Sequence, residues 1–170
     1  CLMIDDVKYN KLNTIERCLK RIDEEYQNSH ERFQSSFTIQ DSIILNLQRA
    51  CEASIDLAMH LIAKRKLGIP QSSRDAFKIL EDKDFISSVL NKELQAMVGF
   101  RNIAVHDYQE LQAAIVLAIL DKHLSSFKDF IKEIKSIPWI EADYFLLKDK
   151  NLPWVALGLR ASHLDGSRRP

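Results

Sequence analysis

Glycine and proline are scarce in this chain, four of each in 170 residues. So few punctuators exclude a fold of many short strands and tight turns, and favour long helices. An excess of charge of one sign is missing as well. Lys and Arg number 24 and Asp and Glu number 24, so the formal net charge is zero. No global basic field therefore advertises nucleic-acid binding, and any RNA site has to be a local groove or one made where two chains meet. Cysteine is limited to Cys1, Cys18 and Cys51, an odd, widely spaced set with no C-x-x-C pair. That suggests neither a disulfide framework nor a zinc site, and the thiols read as reduced, small hydrophobes of a packed interior. Long apolar runs are absent: the longest, Ala113 to Leu120, spans eight residues, against the ~18 that mark a membrane-spanning helix. Asp5, Asp6 and Lys8 follow the start closely, so no signal peptide is read. The expectation is a soluble, cytoplasmic, single-domain protein, long enough to bury roughly 70% of its unfolded surface.

What is present is helical periodicity. Ile4, Val7, Ile15, Leu19, Ile22 and Tyr26 recur at three- and four-residue steps, with Leu12 in the middle gap and Lys11, Glu16, Arg17 and Lys20 on the intervening face. This predicts an amphipathic helix over 4–26. The polar stretch Asn28 to Ser36 reads as a loop. A second long helix is expected from about Thr38 to Lys66, with Ile39, Ile43, Leu47, Ala50, Ser54, Leu57, Ala58 and Leu61 inward. Thr38 or Ser36 serves as its N-cap, and Gly68 followed by Pro70 as its stop. Ser72, with Asp75 three residues on, resembles a capping box that launches a short helix carrying Ala76, Phe77 and Leu80. Another helix begins near Ser87 or Ser88 and runs through Val89, Leu90, Leu94, Met97 and Val98 into the stretch 101–108. The last runs from about Gln109 to Lys135, with Leu111, Ile115, Ile119, Phe127, Ile131 and Ile134 inward. The predicted fold is all-α, a bundle of four long helices with one short extra helix, over residues 3–136. Residues 137–170 carry Trp139, Tyr144, Phe145 and Trp154 without period. They read as an atypical extension, non-native or disordered, and are set aside from functional reasoning together with the two residues before Met3.

The chemistry concentrates in Arg101-Asn-Ile-Ala-Val-His-Asp-Tyr108, an R-x4-H-x-Y motif. An imidazole moves a proton near neutral pH and a guanidinium holds a phosphate that is gaining charge; a metal-free ribonuclease needs both. On one continuous helix Arg101 and Tyr108 share a stripe about 20° wide, and Asn102 and His106 share another about 40° wide. Arg101 and His106 stand about 140° apart, too far for one phosphate on one flat face. Either the helix breaks near the motif, or a two-fold axis brings Arg101 and His106 together from different chains. The bland alternative pairs Arg101 with Asp107 or Glu110, leaves His106 as a cap, and makes Tyr108 a core or interface residue. Arg49 and Glu52 read as a buried ion pair between helices, with Glu52 able to orient Arg101 or His106. Asp56 and His60 form an i, i+4 pair with no third ligand in register, so a surface hydrogen bond is expected there and no metal site. His30, His123 and His163 read as solvated.

Three passages, Leu45-Asn-Leu-Gln-Arg-Ala-Cys-Glu-Ala53, Leu67-Gly-Ile-Pro-Gln-Ser-Ser-Arg-Asp-Ala-Phe77 and the motif itself, together closely resemble the HepT-type toxins of the HEPN superfamily, over roughly Ile4 to Lys135. R-x4-H alone is a weak signal; the three passages in order, in a helical chain of this length, are a strong one. The resemblance implies a homodimer with the motif at the dimer cleft, and metal-independent endoribonuclease activity as a toxin, with no cofactor and no membrane. It implies Arg101 and His106 as catalytic residues. It also implies a paired minimal nucleotidyltransferase antitoxin that silences the toxin by AMPylation of Tyr108. Asn102 takes a supporting place, orienting phosphate or imidazole. The RNA class stays open among transfer, messenger and ribosomal RNA, with transfer RNA the first choice. The alternative from another class is a catalytically silent HEPN dimer, serving as a nucleotide- or RNA-binding adaptor or as a nucleotidyltransferase's partner.

Overall fold

The computed structural model describes residues 5–107 and 111–138. Seven helices lie among them: α1 (Asp6–Tyr26), α2 (His30–Ser35), α3 (Phe37–Arg65), α4 (Ser73–Asp82), α5 (Ser88–His106), α6 (Ala113–Lys122) and α7 (Leu124–Lys135). Their starts are written in the sequence. Asp5, Ser36, Ser72 and Ser87 each accept, through a side-chain oxygen, the amide three residues on, so four helices begin where an otherwise unpaired N–H finds a partner. In the Ser72 box the reciprocal arm is displaced by one residue: the Asp75 carboxylate accepts from the Gln71 amide at 2.8 Å.

Helices α1 and α3 run antiparallel, since Lys11 pairs with Asp56 while Asp5, six residues earlier, pairs with His60 and Lys64. Between them lie Ile15, Ile22, Leu47, Leu57 and Leu61, all fully buried, each contributing about 1.5–3 kcal/mol of apolar burial. The Phe77 ring meets Phe130 edge-on, with centroids 5.8 Å apart, and this contact ties α4 to α7. The all-α bundle expected from periodicity is therefore what the chain forms. Among the described residues no helix is long and apolar enough to cross a membrane.

Four details differ from the sequence expectation. The predicted loop at 28–36 contains α2, capped by Ser29 and anchored by the fully buried Phe33; one aromatic in a polar stretch is too little to show a period. The predicted final helix is two helices, interrupted at His123, where φ is −121° and ψ −3°. Its apolar spacing crosses the break undisturbed, which is why periodicity ran through it. Val7 and Ile115, predicted inward, are 43% and 38% exposed. Finally, α3 stops at Arg65 on a left-handed Lys66 rather than on Gly68. The expectations for 3–4 and for 139–170 fall outside the described residues.

Candidate active site

Helix α5 continues unbroken through the motif and ends on it. Its C-cap is Asp107, at φ −135° and ψ 47°, whose amide bonds the Ile103 carbonyl at 2.8 Å. The helix therefore does not break between Arg101 and His106, and their separation of about 140° around the axis stands. Tyr108 lies outside the described residues, as does Glu110, so the shared stripe expected for Arg101 and Tyr108 is not placed.

Arg101 occupies the stripe of Leu94 and Met97, both buried, and so points toward the interior. Its Nη2 donates to Ser73 Oγ on the first residue of α4, at 3.3 Å, while its Nε is buried without a hydrogen-bond partner. An enclosed donor left unpaired costs roughly 1–3 kcal/mol. No ion pair engages Arg101 among the described residues, and the pairing with Asp107 is not formed. Burial pushes the neighbouring Cys51 thiol up, with Arg101 opposing that shift and Glu52 reinforcing it. Both charges thus flank Cys51, and the thiol stays protonated and inert.

Glu52 itself accepts from Gln48 Nε2 at 3.3 Å. The expected Arg49–Glu52 ion pair is not made: Arg49 is exposed, and its charge instead acts on the Cys18 thiol of α1. Three residues apart, Arg49 and Glu52 lie about 60° from each other around α3, and that is enough to leave Arg49 exposed while Glu52 is half-buried. His106 and Asn102 are exposed on the far stripe of α5. The structure brings Arg101 to Ser73 and within reach of Cys51, the neighbour of Glu52, and leaves His106 and Asn102 together on another face. An open groove of about 550 Å³, lined by Phe33, Phe37, Ile44, Leu111 and Val116 among others, includes no described residue of the motif.

The histidines find these settings in the structure. His60 bonds Asp5 across to the antiparallel helix, through Nε2 at 2.8 Å. His30 is exposed, as read, and also bonds Asp121 at 2.9 Å. Asp121 also accepts from the Tyr26 hydroxyl at 2.8 Å, whose pKa is pushed up to about 12 by burial and by that carboxylate. His123 is half-buried, with Nδ1 enclosed and unpartnered. His163 lies outside the described residues.

Sequence reasoning missed Ser73, and with it Arg74 and Gly99. A Cβ on Gly99 would meet Arg74 Nη2 at 3.1 Å, so the guanidinium of Arg74 lies directly over the α5 backbone. The signal was present in the Gln71-Ser-Ser-Arg74 passage, which read as a helix cap and as part of the family resemblance but gave Ser73 and Arg74 no role of their own.

Known proteins resemble this chain closely. A protein-family model described as HepT-like, Ribonuclease HepT-like, matches residues 15–134. The chain is 50% identical over 133 residues to the mRNA nuclease HepT of Shewanella oneidensis, covering 78% of this chain and 99% of that one. It is 26% identical over 126 residues to the tRNA nuclease HepT of Aphanizomenon flos-aquae, covering 74% and 86%. Among solved structures, a tri-AMPylated Shewanella oneidensis HEPN toxin in complex with its MNT antitoxin superposes with a TM-score of 0.74 at 50% identity, covering 79% of this chain and 100% of that one.

Proposed function

This chain belongs to the HepT-like ribonuclease family, and from that premise we propose that it is an endoribonuclease toxin, metal-independent, acting on cytoplasmic RNA from a site completed across a homodimer. One observation carries the reading beyond family likeness: among the described residues no carboxylate forms an ion pair with the Arg101 guanidinium, which is anchored by Ser73 on the helix that presents His106 to solvent. The catalytic domain on this reading is 3–136, with 137–170 appended to it.

The reaction is intramolecular transfer. The ribose 2′-oxygen attacks the adjacent phosphorus and loses its proton to an imidazole, the bond from phosphorus to the 5′-oxygen breaks, and that oxygen takes up a proton. A 2′,3′-cyclic phosphate and a 5′-hydroxyl remain, so neither a metal nor water enters the bond-breaking step. The His106 at each site serves as base or acid. Arg101 stabilises the charge on the pentacoordinate phosphorus, where an oriented cation acts most strongly. Asn102, one turn before His106, orients the phosphate or the ring. Glu52 supports from beneath, sharing the Cys51 neighbourhood with Arg101. The angle between Arg101 and His106 favours pairing across a two-fold axis, each site drawing its arginine from one chain and its histidine from the other.

Control is assigned to Tyr108. A cognate minimal nucleotidyltransferase antitoxin transfers AMP from ATP to the phenolic oxygen, and pyrophosphate leaves. The adenylate brings negative charge and bulk to the place where the RNA phosphate binds. The 50% identical relative is an mRNA nuclease, which puts messenger RNA ahead of transfer RNA as the substrate to test.

The deciding experiment incubates total cellular RNA with purified, unmodified protein in EDTA, beside Arg101→Ala and His106→Ala. Discrete products that survive EDTA and vanish in both variants are expected. Intact RNA from the unmodified parent would overturn the nuclease reading in favour of the silent adaptor.

A further inference from the structure

Within one chain, Arg101 is on the wrong side of α5 to serve the histidine, but another arginine is not. Gly99 precedes His106 by seven residues, which places the two within about 20° of each other around the helix and about 10.5 Å apart along it. Asn102 falls between them on the same side. Arg74 lies over Gly99, its Nη2 3.1 Å from the point where a side chain would begin. A glycine there leaves room for the guanidinium to lie against the helix. The face that presents His106 therefore also carries a guanidinium, contributed by α4.

Arg74 is exposed and forms no ion pair among the described residues. The carboxylates around it are engaged elsewhere: Asp75 accepts from the Gln71 amide, and Glu81 and Asp82 hold Lys78. Its chain neighbour Ser73 is the hydroxyl that holds Arg101. Two adjacent residues at the start of α4 thus reach the two faces of α5, one aiming the arginine of the motif and the other adding a cation to the histidine's side.

We propose that Arg74 is a further RNA-binding residue, gripping a backbone phosphate beside the scissile one on the face of α5 that carries Asn102 and His106. This rests on the nuclease reading for its substrate but makes a separate demand, since Arg74 contributes grip rather than chemistry. A guanidinium engaging one phosphate of a single strand adds about 0.7 to the slope of log affinity against log salt. In a chain with zero net charge, one such local contact weighs heavily.

The test uses the full chain and a short, mixed-sequence, single-stranded RNA with every 2′-hydroxyl methylated, so that binding is read without cleavage. Arg74→Gln is expected to weaken binding about tenfold near 0.1 M salt and to flatten the salt slope by about 0.7. Arg74→Lys should keep the slope. Lys78→Gln, one turn along α4 but already paired with Asp82 at 2.8 Å, should match the parent. On a cleavable RNA, Arg74→Gln should raise KM and leave kcat unchanged. A parent that binds the methylated RNA but cuts nothing would remove the nuclease reading alone, and the loss of affinity and slope in Arg74→Gln would then still decide whether Arg74 grips a phosphate. A parent that cuts RNA, with Arg74→Gln equal to it in affinity and slope, would overturn the assignment. A parent that neither binds nor cuts would overturn both.

Discussion

The Arg101 guanidinium donates to Ser73 Oγ at 3.3 Å, so the cation of the motif is aimed by the first turn of a neighbouring helix. Ser73 is the first helical residue; the cap is Ser72. Replacing Ser73 should therefore disturb Arg101 without unseating α4. Ser73→Ala is expected to lower kcat by roughly three- to tenfold, the worth of one hydrogen bond to a charged donor in a half-exposed place, with KM little changed. Ser73→Thr, which keeps the hydroxyl, should restore most of it. Steady-state cleavage with thermal melts alongside checks both, and an unchanged kcat in Ser73→Ala would remove Ser73 from the site.

The angle between Arg101 and His106 makes a sharper prediction. Arg101→Ala and His106→Ala should each be inactive alone. Mixed and allowed to exchange subunits, they should recover about one quarter of parental activity, because half the two-fold dimers are mixed and each of those holds one intact site. No recovery, with exchange verified by differently tagged chains, would place both residues of each site in a single chain.

Tyr108→Phe removes the acceptor oxygen and little else. It should cleave RNA within about twofold of the parent, since a phenol two residues from the base is not asked to move a proton. In the presence of a cognate nucleotidyltransferase and ATP the parent should gain AMP and fall silent, while the variant should stay active. Intact mass and residual cleavage read both effects; silencing of Tyr108→Phe would move the modification elsewhere.

Asp5 fastens the start of α1 to the end of α3. Burial alone would raise its pKa, but the Lys8 amide, His60 and Lys64 outweigh burial and hold the carboxyl below 3.8. A carboxylate with a depressed folded pKa lends stability above its unfolded pKa and loses it as pH falls through the folded value. Asp5→Asn keeps an oxygen for the Lys8 amide but surrenders the charge. Its melting temperature should lie below the parent's at pH 7, and the gap should close as pH falls below 3.8. A gap that does not shrink at all as pH is lowered from 7 to the lowest value at which both proteins fold would mean that shape, not charge, holds the clasp.

The fold was largely readable because its evidence is local. Caps at Ser36, Ser72 and Ser87 each depend on an oxygen three residues from an amide, and the inward stripe of α3 repeats often enough to be unmistakable. The site was half readable. Arg101 and His106 stand out as types, and helical spacing alone gives the angle between them. Ser73 and Arg74 were hidden because their relevance is tertiary: nothing within α4 says that α5 passes alongside with a glycine at position 99. The same reason conceals the true partners of His30 and His60, which lie 91 and 55 residues away in the chain.

An uninterrupted α5 fixes arginine and histidine at a set angle on one rigid rod, and rigidity of that kind turns protein abundance into a control. If each site needs two rods, a lone chain is harmless however well folded. Below the dimer's dissociation constant, the number of complete sites grows with the square of chain concentration, so halving synthesis cuts the active population by about fourfold. Every small relative change in expression would then be about doubled in the active population, over a concentration range set by subunit affinity before any antitoxin acts.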